Sequence, residues 1–485
     1  MTSRLWIIAS LILAPAACST GGRMDSETGF SASQTEPSTS TSDATAGTET
    51  DETTDDPTTT SPTTSSTTDM TTSGCPEGTL DCPCGAGESC DDGLVCVDEI
   101  CIEDEGTETD TDTTTTDPTS DTDTTETTGP GIPLCGDGEP VATELCFKDQ
   151  VVLSMGGGPA GILVVDISGD DRDDVITANG TANNLTMRQS LGGTMFGGLT
   201  TAMAGTGPVD VIATDFNNDM KLDLVAANSG ADSVSLFVAT MPGMFAPQSV
   251  TPVGAGPTAL IVADFNKDNL PDLLVANATG NNVNYLPGTG LGYGEPVAIA
   301  AGTTPTAFAI DDFDGDQNLD FVVANAGSGN LWVRLGNGQG LFSNQVNVNV
   351  GGNPSSVGTG DFNGDNKKDL IAAVPAEGLV YMFKGDGLGG FGVGLPFAAG
   401  DNPVDLVVVD LTSDGIADVA TANSGPAQVN VLVGDGIGGF ATPEPFPVGA
   451  GPKSITWGDF NDDGVPDLVT ANGTDSTASV LPSNP

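Results

Sequence analysis

The chain has 485 residues, with 12 lysines and arginines against 67 aspartates and glutamates and no histidine, for a formal net charge of -55. That balance argues against a nucleic-acid partner, because phosphate contacts need a basic surface. The missing histidine removes the commonest general base and the commonest catalytic metal ligand.

Residues 1–17 carry one early cation, Arg4, then the apolar run LWIIASLILA and the small residues Ala16 and Ala17 before Cys18. Together these read as a secretory signal. The segment resembles a bacterial lipoprotein signal, which implies that Cys18 is lipidated and becomes the mature N-terminus, although Pro15 departs from the usual aliphatic residue at that place. Beyond it, the sequence has no stretch approaching the roughly 18 apolar residues of a membrane span. The expected location is therefore the bacterial cell envelope, exported and held by lipid alone, at the outer membrane or cell surface. Residues 18–74 and 105–130 are mostly Thr, Ser, Asp and Glu with few large apolar side chains, so they read as disordered linkers that cannot bury enough surface to fold.

Residues 75–104 hold Cys75, Cys82, Cys84, Cys90, Cys96 and Cys101. In an exported chain this pattern reads as a disulfide-stapled module, with its fifteen possible pairings left open. Zinc or iron–sulfur ligation is the alternative, weakened by the absence of histidine and the oxidising context. Residues 131–150 add Cys135 and Cys146 as a second group.

From residue 151 to 485 a nine-residue acidic loop recurs seven times, opening at Asp166, Asp215, Asp264, Asp312, Asp361, Asp410 and Asp459, a period of 48 or 49 residues. So regular a period means one supersecondary unit repeated in space. Oxygen-bearing side chains stand at the first, third, fifth and ninth places. The seven sets are Asp166, Ser168, Asp170 and Asp174; Asp215, Asn217, Asp219 and Asp223; Asp264, Asn266, Asp268 and Asp272; Asp312, Asp314, Asp316 and Asp320; Asp361, Asn363, Asp365 and Asp369; Asp410, Thr412, Asp414 and Asp418; Asp459, Asn461, Asp463 and Asp467. With a backbone carbonyl near the seventh place, each set suits a hard cation that takes six to eight oxygens, so up to seven Ca²⁺ ions are expected. An EF-hand would need Glu at the twelfth place, where the chain has Thr177, Ala226, Val275, Val323, Ala372, Thr421 and Thr470. Runs such as DLVAAN and DFVVAN follow the loops, so each loop is a turn between strands.

Each unit runs from X-Pro through a strand, the acidic loop, a strand usually ending in Ala-Asn, a third strand and an aromatic-glycine turn such as Phe196-Gly197, Tyr293-Gly294 or Phe391-Gly392. This pattern resembles the FG-GAP (VCBS-type) repeat of integrin α-subunit propellers and many bacterial surface proteins. The resemblance implies an all-β, seven-bladed, calcium-binding β-propeller. The seventh unit stops after its third strand, at TASVLPSNP, and DQVVLSMGGGP ahead of the first unit has the missing pattern. The strand near Val151 to Met155 is therefore expected to complete the last blade and close the ring.

The function expected is non-catalytic: adhesion, or binding of an extracellular or periplasmic protein or glycan. From Gly131 onward the cations are Arg172, Arg188, Arg334 and seven lysines, thin provision for stabilising an oxyanion or a uronate. The alternative is a carbohydrate-active enzyme, a polysaccharide lyase or glycosidase on the same scaffold, and it rests on fold analogy. Aligned by the period, the middle of the third strand holds Thr186, Ser235, Asn284, Trp332, Tyr381, Asn430 and Ser479. Five small polar residues suggest a solvent-facing or lightly packed place, so Trp332 and Tyr381 are candidate ligand contacts. The competing reading is that both rings fill a wider gap between blades.

Overall fold

The computed structural model describes residues 94–97, 100–103, 145 and 147–484. The signal segment, Cys18, both Thr-rich linkers and most of the cysteine-rich segment lie outside the described residues. Within the latter, Leu94–Val97 pairs antiparallel with Ile100–Glu103, a hairpin in a unit separate from the repeats. Among the described residues, no helix is long and apolar enough to cross a membrane.

The repeats form seven four-stranded antiparallel sheets, six of them built from the strands of one repeat and the seventh completed by Val151–Ser154. The inner strand of each blade opens at the repeat's X-Pro or shortly after it, as in Pro208–Thr214 and Pro305–Asp311. The second strands are Asp174–Asn179, Asp223–Asn228, Asp272–Asn277, Asp320–Asn325, Asp369–Val374, Asp418–Asn423 and Asp467–Asn472, and every residue in them is buried. A strand covered on both faces must be apolar almost throughout rather than alternating, which is why these segments read DLLVAN or DFVVAN.

The apolar core is divided among the gaps between blades. Seven clusters of buried side chains each draw on two neighbouring blades, and one of them joins Leu153, Val469 and Val480 of the last blade to Ile162 and Val175 of the first. Seven blades with seven interfaces make a closed ring. The Phe at the second place of five acidic loops adds an inter-blade contact. Phe216 meets Tyr293 of the next blade edge-on with centroids 4.1 Å apart, and the pairs Phe265–Phe342, Phe313–Phe391, Phe362–Phe440 and Phe460–Phe196 repeat the arrangement. The aromatic of the glycine turn is thus the partner of the preceding blade's loop.

Val151–Ser154 is the outer strand of the last blade, with Val151 opposite Val480 and Ser154 opposite Thr477. The amide of Lys148 donates to Pro482 O at 2.8 Å and extends the seam. One blade therefore combines the two extremes of the repeat region, as the sequence pattern implied.

Candidate metal centres

Each acidic loop connects an inner strand to a second strand, so all seven emerge at the same end of their blades. They share one backbone path. The fourth and sixth places are left-handed in every copy, at φ 78° and 67° for Gly315 and Gln317 and at φ 58° and 65° for Asn218 and Met220. These two inversions curl the chain around the first carboxylate. Asp312 Oδ1 accepts the amides of Gly315 and Asp316 at 2.8 and 3.1 Å, and its Oδ2 accepts that of Gln317 at 2.8 Å. Asp166 and Asp361 hold the same three donors in their own loops.

The ninth-place carboxylate is fully buried and works differently. In all seven loops one oxygen accepts the second-place amide and the other accepts an amide sixteen residues on, near the end of the third strand or just past it. For Asp320 these donors are Phe313 at 2.8 Å and Gly336 at 2.7 Å; for Asp223 they are Phe216 at 3.1 Å and Ala239 at 2.7 Å. Burial pushes these carboxyls up, Asp320 to about 7 and Asp174 and Asp418 to about 6, although the amides pull the other way and nearby loop carboxylates, Asp314 and Asp312 beside Asp320, add to the rise. The ninth Asp thus ties the loop to the neighbouring hairpin, a role hidden in the sequence because its partners are backbone amides.

The fourth loop comes nearest to a cation site. Asp312, Asp314 and Asp320 each bring a carboxylate oxygen within 4.8 Å of the others, the one such group among the described residues. Asp316, expected as a fourth ligand, is drawn to Asn318, whose side-chain and backbone nitrogens donate to it at 2.7 and 2.8 Å. The donor set is oxygen only, part-buried and rich in charge, and it fits a hard divalent cation.

The other loops are more fully satisfied by the protein itself. Arg172, Lys221 and Lys367 pair with the fifth-place Asp170, Asp219 and Asp365 at 3.4, 2.8 and 4.0 Å. The amide nitrogens of Asn266 and Asn363 donate to the ninth-place Asp272 and Asp369, so an ion there requires each amide to turn. Ser168 donates to both Asp166 and Asp170, and Thr412 to Asp418. In the last loop Asn461 donates to Asp463, and Ser483 to Asp463 and Asp467.

The third-strand place expected to face solvent or a lightly packed inter-blade surface is buried in five blades. Thr186, Ser235, Asn284 and Asn430 accept from the Asn that ends the second strand, in the pairs Asn179–Thr186 at 3.1 Å, Asn228–Ser235 at 2.8 Å, Asn277–Asn284 at 3.0 Å and Asn423–Asn430 at 2.8 Å. Ser479 is likewise buried. These residues are small and polar because they satisfy a buried amide, not because water reaches them. Trp332 and Tyr381 are half-buried at the same place, packed against the clusters between blades three and four and between blades four and five. Tyr381 Oη donates to Glu377 at 2.6 Å, and Val374 stands in that blade where the others have Asn.

The sequence matches the FG-GAP-like repeat family over residues 215–275, 312–372, 361–421 and 410–470. No curated protein matches. Among solved structures, BBS1N in complex with ARL6DN aligns with a TM-score of 0.52 at 12% identity, covering 70% of this chain and 97% of that one. Virginiamycin B lyase from Staphylococcus aureus with quinupristin aligns at 0.50 and 14%, covering 69% and 99%. Hydrazine synthase from Kuenenia stuttgartiensis aligns at 0.50 and 16%, covering 71% and 98%. At such identities the shared property is the fold, which suits a binding or scaffold role and occurs in enzymes as well. Four matched repeats, and further blades built on the same loop, strand and turn, make this chain an FG-GAP repeat protein folded as a seven-bladed β-propeller.

Proposed function

We propose that the protein is a non-catalytic, calcium-binding propeller displayed on the bacterial cell envelope, where it serves adhesion or binds a protein or glycan. The observation that supports this reading most directly is the convergence of Asp312, Asp314 and Asp320 on one point in a loop whose backbone path recurs at the same end of all seven blades. Those three residues, with Asp316, would hold the ion. Bound calcium supplies the positive charge that clustered carboxylates otherwise lack. The first-place Asp fixes the loop through its three amides, and the ninth-place Asp holds the loop against the adjacent hairpin. The repeated acids are assigned a metal role, and a carboxylate pair outside the loops, Asp210 and Asp405, is part-buried and accepts backbone amides, so the non-catalytic reading is preferred to a carbohydrate-active enzyme.

The anchor is proposed from the sequence at Cys18, and the membrane is reached through lipid alone. Stable attachment needs more than one acyl chain. Changing Cys18 to Ser should release the protein from membranes with the propeller intact, and unchanged detergent-phase partitioning would reject the anchor. The test of the function is a glycan and protein-partner screen of the full chain in millimolar Ca²⁺ and in EGTA. Calcium-dependent capture of a defined ligand is expected, and turnover of a polysaccharide without capture would overturn the reading.

A further inference from the structure

Among the described residues, Arg334 is a buried cation without a carboxylate partner. It lies in the third strand of the fourth blade, Asn330–Gly336, opposite Phe321. The corresponding place in five other blades holds Phe237, Leu286, Phe383, Leu432 and Leu481, all buried. In the first blade it holds Arg188, which shows what a purely structural arginine does there. Arg188 donates from Nε and Nη2 to Ser154 O, at the end of the preceding blade's outer strand, and from Nη1 to Gly197 O at 2.9 Å.

Arg334 makes the equivalent bond across the blade gap, from Nη2 to Ala300 O at 2.6 Å, but its Nε has no partner. The residue is only 8% exposed, and it forms no ion pair although the chain has 67 acidic residues. Trp332 lies beneath it, with the guanidinium carbon 5.3 Å from the ring centroid. That contact offsets part of the charge. A buried, underpaired guanidinium is costly unless a counter-charge arrives.

Arg334 also lines a cavity of about 310 Å³ between the third and fourth blades, with Tyr285, Val297, Ile299, Leu341 and Phe342. That volume is near the lower end for small-ligand pockets, about 300–1,000 Å³. The Tyr285 hydroxyl is already committed to Asp272 at 2.9 Å, so Arg334 is the lining side chain with donors to spare. Apart from Arg334 and Tyr285 the side chains that line it are apolar, so a hydroxyl-rich sugar would find few side-chain hydrogen-bond partners.

We propose that this cavity binds a carboxylate carried on an apolar body, either a free aryl or alkyl acid or the C-terminal residue of a peptide with a large apolar side chain, and that Arg334 is the anion-binding group. The site does not use the acidic loops, so its failure would leave the calcium reading untouched.

The test is titration of the full chain in millimolar Ca²⁺, by calorimetry and by the indole N–H resonance of Trp332, with phenylacetate, phenylacetamide, N-acetylphenylalanine and galacturonate. Phenylacetate should shift the Trp332 resonance and bind at least about tenfold more tightly than phenylacetamide, the usual scale for a charge-assisted pair. Galacturonate should bind more weakly than phenylacetate. Tighter binding of N-acetylphenylalanine would identify a peptide end as the source, and weaker binding a free acid. Arg334→Leu, which installs the residue that Leu286, Leu432 and Leu481 supply in other blades, should lose phenylacetate binding by about tenfold or more. If Arg334→Leu does not fold, Arg334→Lys supplies the comparison, because it keeps the charge and loses the planar fork, and it should bind less tightly than the parent. Equal affinity for phenylacetate and phenylacetamide, unchanged affinity in the arginine variants, or no binding at tens of millimolar would overturn the proposal.

Discussion

The ninth-place aspartates show how a structural tie and a proposed ligand role can fall on one residue, two purposes that sequence spacing cannot separate. Spacing marks Asp223 or Asp320 as a ligand, but the geometry makes each a tie between two turns. Asp223→Ala should therefore cost about 2–4 kcal/mol of stability even in EGTA, since it leaves two buried amides unpaired. Asp314→Asn should instead change only the response to calcium. Chemical denaturation of both variants with and without Ca²⁺ checks this contrast. Backbone strain gives a second residue-scale expectation. Met220 is exposed and left-handed at φ 65°, where the sixth and seventh loops have Gly415 and Gly464. Met220→Gly should stabilise the protein by about 0.5–1 kcal/mol, and a loss of stability in the same assay would contradict the strain account. A third concerns Asp210, whose carboxyl is pushed up to about 7 chiefly by burial, against the amides of Leu260 and Val211 at 2.8 Å and with Asp405 adding repulsion. A raised acid favours the folded state while protonated, so that contribution is complete below about pH 4 and is lost as pH rises through about 7. In saturating calcium, Asp210→Asn should remove roughly one proton's worth of the downward slope of stability across that interval, measured by denaturation at stepped pH.

Whole elements were more legible than single side chains. The period located the seven acidic loops, the DLVAAN-type runs located the second strands, and DQVVLSMGGGP supplied the strand that the last repeat lacks. Each of these signals is local in sequence. What escaped depends on which side chains the sheet register brings together, on the neighbouring blade, or on backbone groups. Of the two readings of the third-strand place, solvent-facing or lightly packed between blades, burial overturns the first, because the partners of Ser235 and Asn284 are buried asparagines in the adjoining strand. The Phe of each DF pair gave no hint that it meets the next blade's turn. Trp332 and Tyr381 lie against inter-blade cores, so Trp332→Ala should cost about 2–4 kcal/mol, as emptied aromatic sites commonly do. A melting curve identical to the parent's, together with lost ligand binding, would restore the contact reading for Trp332. The exposed Tyr381–Glu377 bond should contribute little, and Tyr381→Phe tests it separately.

Across the whole molecule, the proposed calcium sites would couple charge to stability. Ions that bind only the native state add to stability by mass action. At tenfold saturation each would contribute about 1.4 kcal/mol, or roughly 10 kcal/mol for seven independent sites. The loops with Arg172, Lys221 and Lys367 already carry a cation, so the measured gain should fall short of that sum. Melting curves that coincide in EGTA and in millimolar Ca²⁺ would reject the calcium-clasp reading. The closing strand has a consequence for biosynthesis. Val151 leaves the ribosome 329 residues before the Val480 it will pair with, so the ring cannot lock until the last repeat has been made. Until then the first blade's outer-facing cluster around Ile162 and Val175 waits without its partner. Contacts between such distant segments form slowly. At high concentration the waiting strand of one chain meets the open last blade of another, so strand-exchanged dimers are the expected by-product of refolding at high protein concentration.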